Sequence, residues 1–180
     1  MYIAPEIHSN EWTNLKLDKH DSEDWSKAIE ILRHRIGSRY LEPIELLINE
    51  DEKRIASKRR YGFTILAICC LLMETLQAFK EGLTDTKNKS ERTVKNFLLN
   101  SPFFNTYFHD EPTAKIFYQH YRCGILHQAE VKEDSLVWSI GDLRWENNGQ
   151  QYINRTKVYE CLKQDFEQYL SDLKDPANQE

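Results

Sequence analysis

Between Tyr118 and Glu130 the chain reads Tyr-Gln-His-Tyr-Arg-Cys-Gly-Ile-Leu-His-Gln-Ala-Glu, which sets Arg122 and His127 five positions apart. Those two residue types suit phosphodiester chemistry. A histidine titrates near pH ~6.5 when unperturbed, so it exchanges protons at neutral pH. An arginine keeps its charge and grips a phosphate with two hydrogen bonds. In this reading His127 deprotonates a ribose 2′-hydroxyl or protonates the leaving group. Arg122 stabilises the charge that builds on phosphorus. Tyr118, Cys123, Gln128 and Glu130 lie close enough in sequence to support the pair. A purely structural reading pairs Arg122 with Glu74 or Glu130 and leaves His127 to cap or pack.

The geometry is demanding. On an ideal α-helix a spacing of five turns the second side chain about 140° away from the first. Gly124 lies between the two and tolerates a bend, and the arginine side chain is long enough to swing along the helix. His120, Cys123 and His127 also share one helix face, with Glu130 a turn further. Those types bind zinc, but zinc sites draw ligands from several elements and no partner pair stands out elsewhere, so no metal is expected. Glycine-rich phosphate loops are absent, as are G-x-S-x-G and H-E-x-x-H.

The elements that must hold this segment are mostly helical. Asp21 or Ser22 can cap a helix with Trp25, Ala28, Ile29, Leu32 and Ile36 on one face, and Gly37 can end it. Pro43 fits the first turn of a short second helix. Tyr61 to Phe79 is apolar on most faces and reads as a central helix, with Glu74 and Gln77 as exceptions. Ser90 is a candidate cap for a helix carrying Val94, Phe97 and Leu98. The next helix starts near Glu111–Pro112, with Ala114, Phe117, Tyr118, Tyr121 and Ile125 as its apolar stripe. Leu136 to Ile140 alternates like a strand, and Asn148–Gly149 signals a two-residue hairpin turn. Asn154 or Thr156 then caps a last helix with Val158, Leu162, Phe166, Tyr169, Leu170 and Leu173 on its buried face. The expected architecture is mainly α: a helical bundle in a single domain over 1–180, with a small β-hairpin before the C-terminal helix. Residues 1–20 read as an irregular arm and 174–180 as a frayed tail.

Two longer stretches carry a family likeness. Ile68-Cys-Cys-Leu-Leu-Met-Glu-Thr-Leu-Gln-Ala-Phe79 and Phe117-Tyr-x-x-Tyr-Arg-Cys-Gly-Ile-Leu-His-Gln-Ala-Glu130 resemble a group of uncharacterised bacterial HEPN-like proteins, over about Arg39 to Leu173. Arg122 and His127 stand where the Arg-x4-6-His motif of the HEPN superfamily has its pair. The resemblance implies a HEPN-like helical bundle and a metal-independent endoribonuclease in toxin–antitoxin, phage-defence or stress systems, with no cofactor. It also implies a homodimer in which two Arg122–His127 pairs line one cleft, with Glu74 as a supporting polar residue and RNA or an antitoxin as partners. Active members carry a polar residue directly after the arginine, where this chain has Cys123. That departure favours the alternative, a non-catalytic dimeric module that binds RNA, nucleotide or a partner protein.

Composition is consistent with these expectations. The 180 residues suit one domain, and a 40% hydrophobic, 29% charged chain can build a core under a solvated surface. A net charge of −5 argues against a general nucleic-acid coat. Two local basic runs remain as RNA contacts: Lys53, Arg54, Lys58, Arg59 and Arg60, then Lys87, Lys89, Arg92 and Lys95. Trp138 and Trp145 could stack on bases or pack the hairpin onto the bundle. The N-terminus lacks an apolar core, and the apolar run Phe63–Met73 is too short to cross a bilayer. With four cysteines and no C-x-x-C pair, a cytoplasmic protein with reduced thiols and no membrane partner is expected.

Overall fold

The structure, a computed structural model, describes residues 1–175 and 177. The chain is mainly helical, with a small sheet near its C-terminus. It groups into two compact units, residues 1–46 with 166–180 and residues 47–165.

In the first unit, β1 (Tyr2–Ala4) and β2 (Ile7–His8) form a short antiparallel pair, followed by α1 (Ser9–Thr13). The expected irregular arm is therefore ordered over its first part. Two devices that periodicity does not reveal fix it: Glu6 takes a left-handed turn, and His8 with Glu11 caps α1 reciprocally. Ser22 caps α2 (Glu23–Ile36) by accepting from the Trp25 amide. Gly37 does not end that helix. It keeps right-handed helical angles, and the chain passes through a π turn (Gly37–Leu41) into α3 (Glu42–Glu52). Pro43 has no N–H for the carbonyl one turn back, and the widened turn lies just before it. Of its expected face Ala28, Ile29 and Ile36 are buried and Trp25 and Leu32 half-buried, while Ile31, outside that face, is buried as well. The expected frayed tail, 174–180, lies largely outside the described residues.

The second unit is built on α4 (Gly62–Lys80). Ile65, Leu66, Cys69, Cys70, Leu72, Met73 and Leu76 are no more than 1% exposed, so the helix is enclosed on most faces. By length and apolarity α4 could span a bilayer, which the shorter run Phe63–Met73 does not suggest. Half of its apolar window is instead buried within the protein. Against it pack α5 (Ser90–Asn100), a second π turn (Phe117–Cys123), α7 (Gly124–Gln128) and β3 (Ser135–Trp138). Asp110 caps α6 (Glu111–Ile116), which leads directly into the π turn. A file of rings, Phe97, Phe104, Phe108, Phe117 and Tyr121, runs through this core with neighbouring centroids 5.3–6.5 Å apart.

The sheet is larger than a hairpin. β4 (Arg144–Asn147) and β5 (Gln150–Asn154) are the expected antiparallel pair, with Asn148 and Gly149 both at positive φ. β3 adds to the other edge of β5 in parallel, giving the order β3-β5-β4. Alternation identifies a strand, but says nothing of which edge it joins. Trp145 stacks on Tyr152 at 4.9 Å, so this indole packs within the sheet. Asn154 caps α8 (Arg155–Asp172) by accepting from the amides of Thr156 and Lys157.

Candidate functional site

The second π turn shapes the site. Replacing i→i+4 hydrogen bonds by i→i+5 widens the turn, so residues five apart come nearer to one line than on an α-helix. Tyr118 and Cys123 are five apart within it, and their side chains interact. Arg122 sits at its exit. From there the guanidinium reaches His127, with Nη1 3.2 Å from the imidazole Nε2. Cys123 and Gly124 keep right-handed helical angles and α7 follows, so the separation expected of a regular helix is bridged by the length of the arginine side chain.

Gly124 has a different role from the expected bend. It keeps helical angles, and a Cβ there would lie 2.5 Å from the Glu130 carbonyl oxygen. The chain folds back against this bare position: Ala129 takes a left-handed conformation, the Glu130 amide bonds the Gly124 carbonyl, and the Lys132 amide bonds the His120 carbonyl. Glu130 and Gln128 are exposed. Glu130 therefore contributes its backbone to the turn, and Arg122 finds its carboxylate in α4.

That carboxylate is Glu74. Its Oε2 accepts from Arg122 Nη2 at 3.0 Å and from the Ser90 hydroxyl at 2.7 Å, and the two ion-paired side chains are 13% and 16% exposed. Burial pushes the Glu74 carboxyl up, but hydrogen bonds from Thr86, Ser90 and Arg122 outweigh it and hold the group below its ordinary range. Burial likewise opposes the charge on Arg122, and Glu74 reverses the effect, raising the guanidinium's pKa. Tyr118 places its ring 5.4 Å from the guanidinium carbon. Burial pushes the Tyr118 phenol up, Ser90 pulls it down and Cys123 adds to the rise. Ser90 thus braces the site from α5 rather than capping that helix, whose N-cap is Lys89. Neither Thr86 nor Ser90 carries a spacing signal that would single it out: Ser90 reaches Glu74 through the packing of α5 on α4, and Thr86 from the segment before α5.

Arg122 has donors alone, so Nε2 of His127 is the acceptor in this contact. The Nε atom of Arg122 is buried without a partner; among the described residues Arg59 Nε is the other such side-chain atom. A groove of about 450 Å3 opens beside Arg122, with Glu74, Thr75, Thr84 and Asp85 among its polar walls. Leu71, Phe79 and Leu126 line the same groove and are 44%, 39% and 42% exposed. His127 is exposed at the adjoining turn.

His120 faces elsewhere. Its Nδ1 is 3.0 Å from the Ser135 hydroxyl, and its Nε2 lies 3.6 Å from Glu133. His120, Cys123 and His127 therefore do not converge, and no group of three metal-binding side chains forms among the described residues.

The basic runs are partly neutralised. Arg54 pairs with Glu50 and Asp51, Lys53 with Glu50, and Arg59 donates to Ser139, while Lys58 and Arg60 are exposed. In the second run Arg92 pairs with Glu81 and Lys95 with Glu91 and Glu111, leaving Lys87 and Lys89 exposed.

Comparison with protein-family models, curated proteins and solved structures returned no match. The site is therefore judged on its own geometry.

Proposed function

We propose that the protein is a metal-independent endoribonuclease of the HEPN type, acting through Arg122 and His127. The observation that carries this reading is the 3.2 Å contact between a braced guanidinium and an exposed imidazole. A phosphate entering between them accepts from Nη1 of Arg122 in place of the imidazole and frees Nε2 of His127. That nitrogen then removes the proton of the ribose 2′-hydroxyl. The 2′-oxygen attacks phosphorus, the bond to the 5′-oxygen breaks, and a 2′,3′-cyclic phosphate forms. Arg122 offsets the charge on the phosphoryl oxygens throughout. Glu74 keeps the guanidinium aimed and does not touch the substrate.

The departing 5′-oxygen needs a proton, and each chain offers one imidazole at this site. A second copy supplies the other, so the working unit is a homodimer. The apolar rim of Leu71, Phe79 and Leu126 gives two such grooves a surface to join. This reading carries with it a HEPN-like bundle, a cytoplasmic setting, an RNA substrate, and a toxin or defence role held in check by an antitoxin or system partner.

The test is incubation of the full chain with bulk tRNA and mRNA in EDTA. Cleavage is expected, falling by about a hundredfold or more in Arg122→Ala and in His127→Ala. Intact RNA with the folded wild-type protein under all conditions refutes the proposal. Cys123 supports a second reading, a dimer that binds without cutting. Under it, Cys123→Asn would create cleavage that the wild type lacks.

A further inference from the structure

A second cavity lies at the opposite end of α4, about 18 Å from Glu74 by helix rise. It holds about 210 Å3, and Asp51, Arg59, Arg155, Trp138 and Ser139 are among its walls. Arg155 is 1% exposed, an unusual depth for a guanidinium. Its Nη2 donates to Asp51 Oδ2 at 3.2 Å and its Nη1 to Thr156. Asp51, fully buried, is already heavily engaged. It accepts from the backbone amides of Arg60 and Tyr61, both at 3.0 Å, and from Arg54 at 3.5 Å. One carboxylate therefore answers several donors, and among the described residues no carboxylate forms an ion pair with Arg59.

Arg59 is held over the cavity by a 2.8 Å hydrogen bond to the Ser139 hydroxyl, and its buried Nε has no acceptor. Burial is the main force acting against the charge on Arg155; Asp51 and Glu52 work the other way, and Arg59 nearby adds to the burial effect. The cavity lining itself sets two guanidinium groups, Arg59 and Arg155, against the one carboxylate of Asp51, with an unmet donor in its wall. The start of α4 adds to the field: Gly62 lines the cavity, and the Tyr61 N-cap makes no side-chain capping bond.

We propose that this cavity is a phosphate site, in which the phosphoryl group of a small molecule accepts from Arg59 and Arg155. Trp138, 45% exposed at the wall, offers a ring face to any planar group attached to that phosphate. The site is separate from Arg122 and does not depend on the ribonuclease reading.

Calorimetric titration of the full chain with inorganic phosphate, AMP and UMP tests it, with acetate at matched ionic strength as control. Phosphate or nucleotide binding is expected in the wild type and should persist in Arg122→Ala, the background in which the variants below are compared so that the other site contributes nothing. Arg59→Gln should weaken it by about tenfold or more, and Arg59→Lys should restore part of the loss. Ser139→Ala, which removes only the anchor of Arg59, gives a smaller loss and guards against misfolding of the arginine variant. Tighter binding of AMP and UMP than of phosphate, lost in Trp138→Ala, identifies a nucleotide as the source. Equal binding identifies free phosphate. Absence of binding by all three compounds, binding no stronger than acetate, or equal affinity in folded Arg59→Gln overturns the proposal.

Discussion

Replacing Glu74 tests the brace on which the candidate site depends. The carboxylate lies 3.0 Å from Arg122 Nη2, and both side chains are about one-sixth exposed or less. Exposed pairs contribute about 0–1 kcal/mol, whereas breaking a buried pair costs about 3–5 kcal/mol. This burial lies nearer the second case, with some screening by the open groove, so Glu74→Ala should cost about 2–3 kcal/mol. Glu74→Gln keeps an acceptor for Ser90 and should cost about half as much. The pH dependence follows from the depressed carboxyl. Because the folded protein holds Glu74 below its ordinary value of 4.5, the stabilisation is fully present above that value and is lost as pH falls through the lower, folded one. Urea unfolding followed by circular dichroism at pH 7 and in steps below pH 4 measures it. The gap between wild type and Glu74→Gln should be widest at pH 7 and narrow on acidification. In a double-mutant cycle with Arg122→Met the coupling should exceed about 1 kcal/mol. Stability of Glu74→Ala within about 0.5 kcal/mol of wild type at pH 7, or a gap that does not change with pH, would refute the reasoning.

Asp51→Ala removes the anion nearest a fully buried Arg155 and leaves the Arg60 and Tyr61 amides without their acceptor. It should cost about 3–5 kcal/mol and lower Tm by about 10 °C, measured by calorimetry. Gly124→Ala forces a methyl to within 2.5 Å of the Glu130 carbonyl, a backbone atom that yields only if the turn after α7 opens. A loss of about 1–3 kcal/mol is expected. The His127 resonances should shift in the NMR spectrum while those of the β3-β5-β4 sheet stay in place.

Much of the helical frame is legible in the sequence because periodicity reports burial directly. Val94, Phe97, Leu98, Ala114, Phe117 and Tyr121 are all buried as their spacing requires. Helix ends are less legible. Gly37 carries the usual mark of a stop, yet nothing in the local sequence forbids it from continuing in right-handed angles, and the packing of Ile36 and Leu41 favours continuation. The parallel pairing of β3 with β5 depends on a contact across the loop that contains β4, which a hairpin signal cannot encode.

At the site, the residue types in the sequence name the chemistry but not its wiring. Arg122, His127 and Glu74 are visible as candidates, and the structure gathers all three. Helical arithmetic argues against the first two meeting, and the reach of the arginine side chain overcomes it. His120, which a regular helix would align with His127, turns to Ser135 and Glu133 instead, and Cys123 interacts with Tyr118. A widened turn is costly to hold, since its hydrogen bonds are less favourable than those of an α-helix. Here Phe117 and Tyr121 anchor it in the aromatic file, and Arg122 ties it to α4. A regular α-helix would bury the same two rings without the widened turn. What it would lose is the approach of Tyr118 to Cys123, five apart within the widened turn, and with it one wall of the pocket that holds the Arg122 guanidinium.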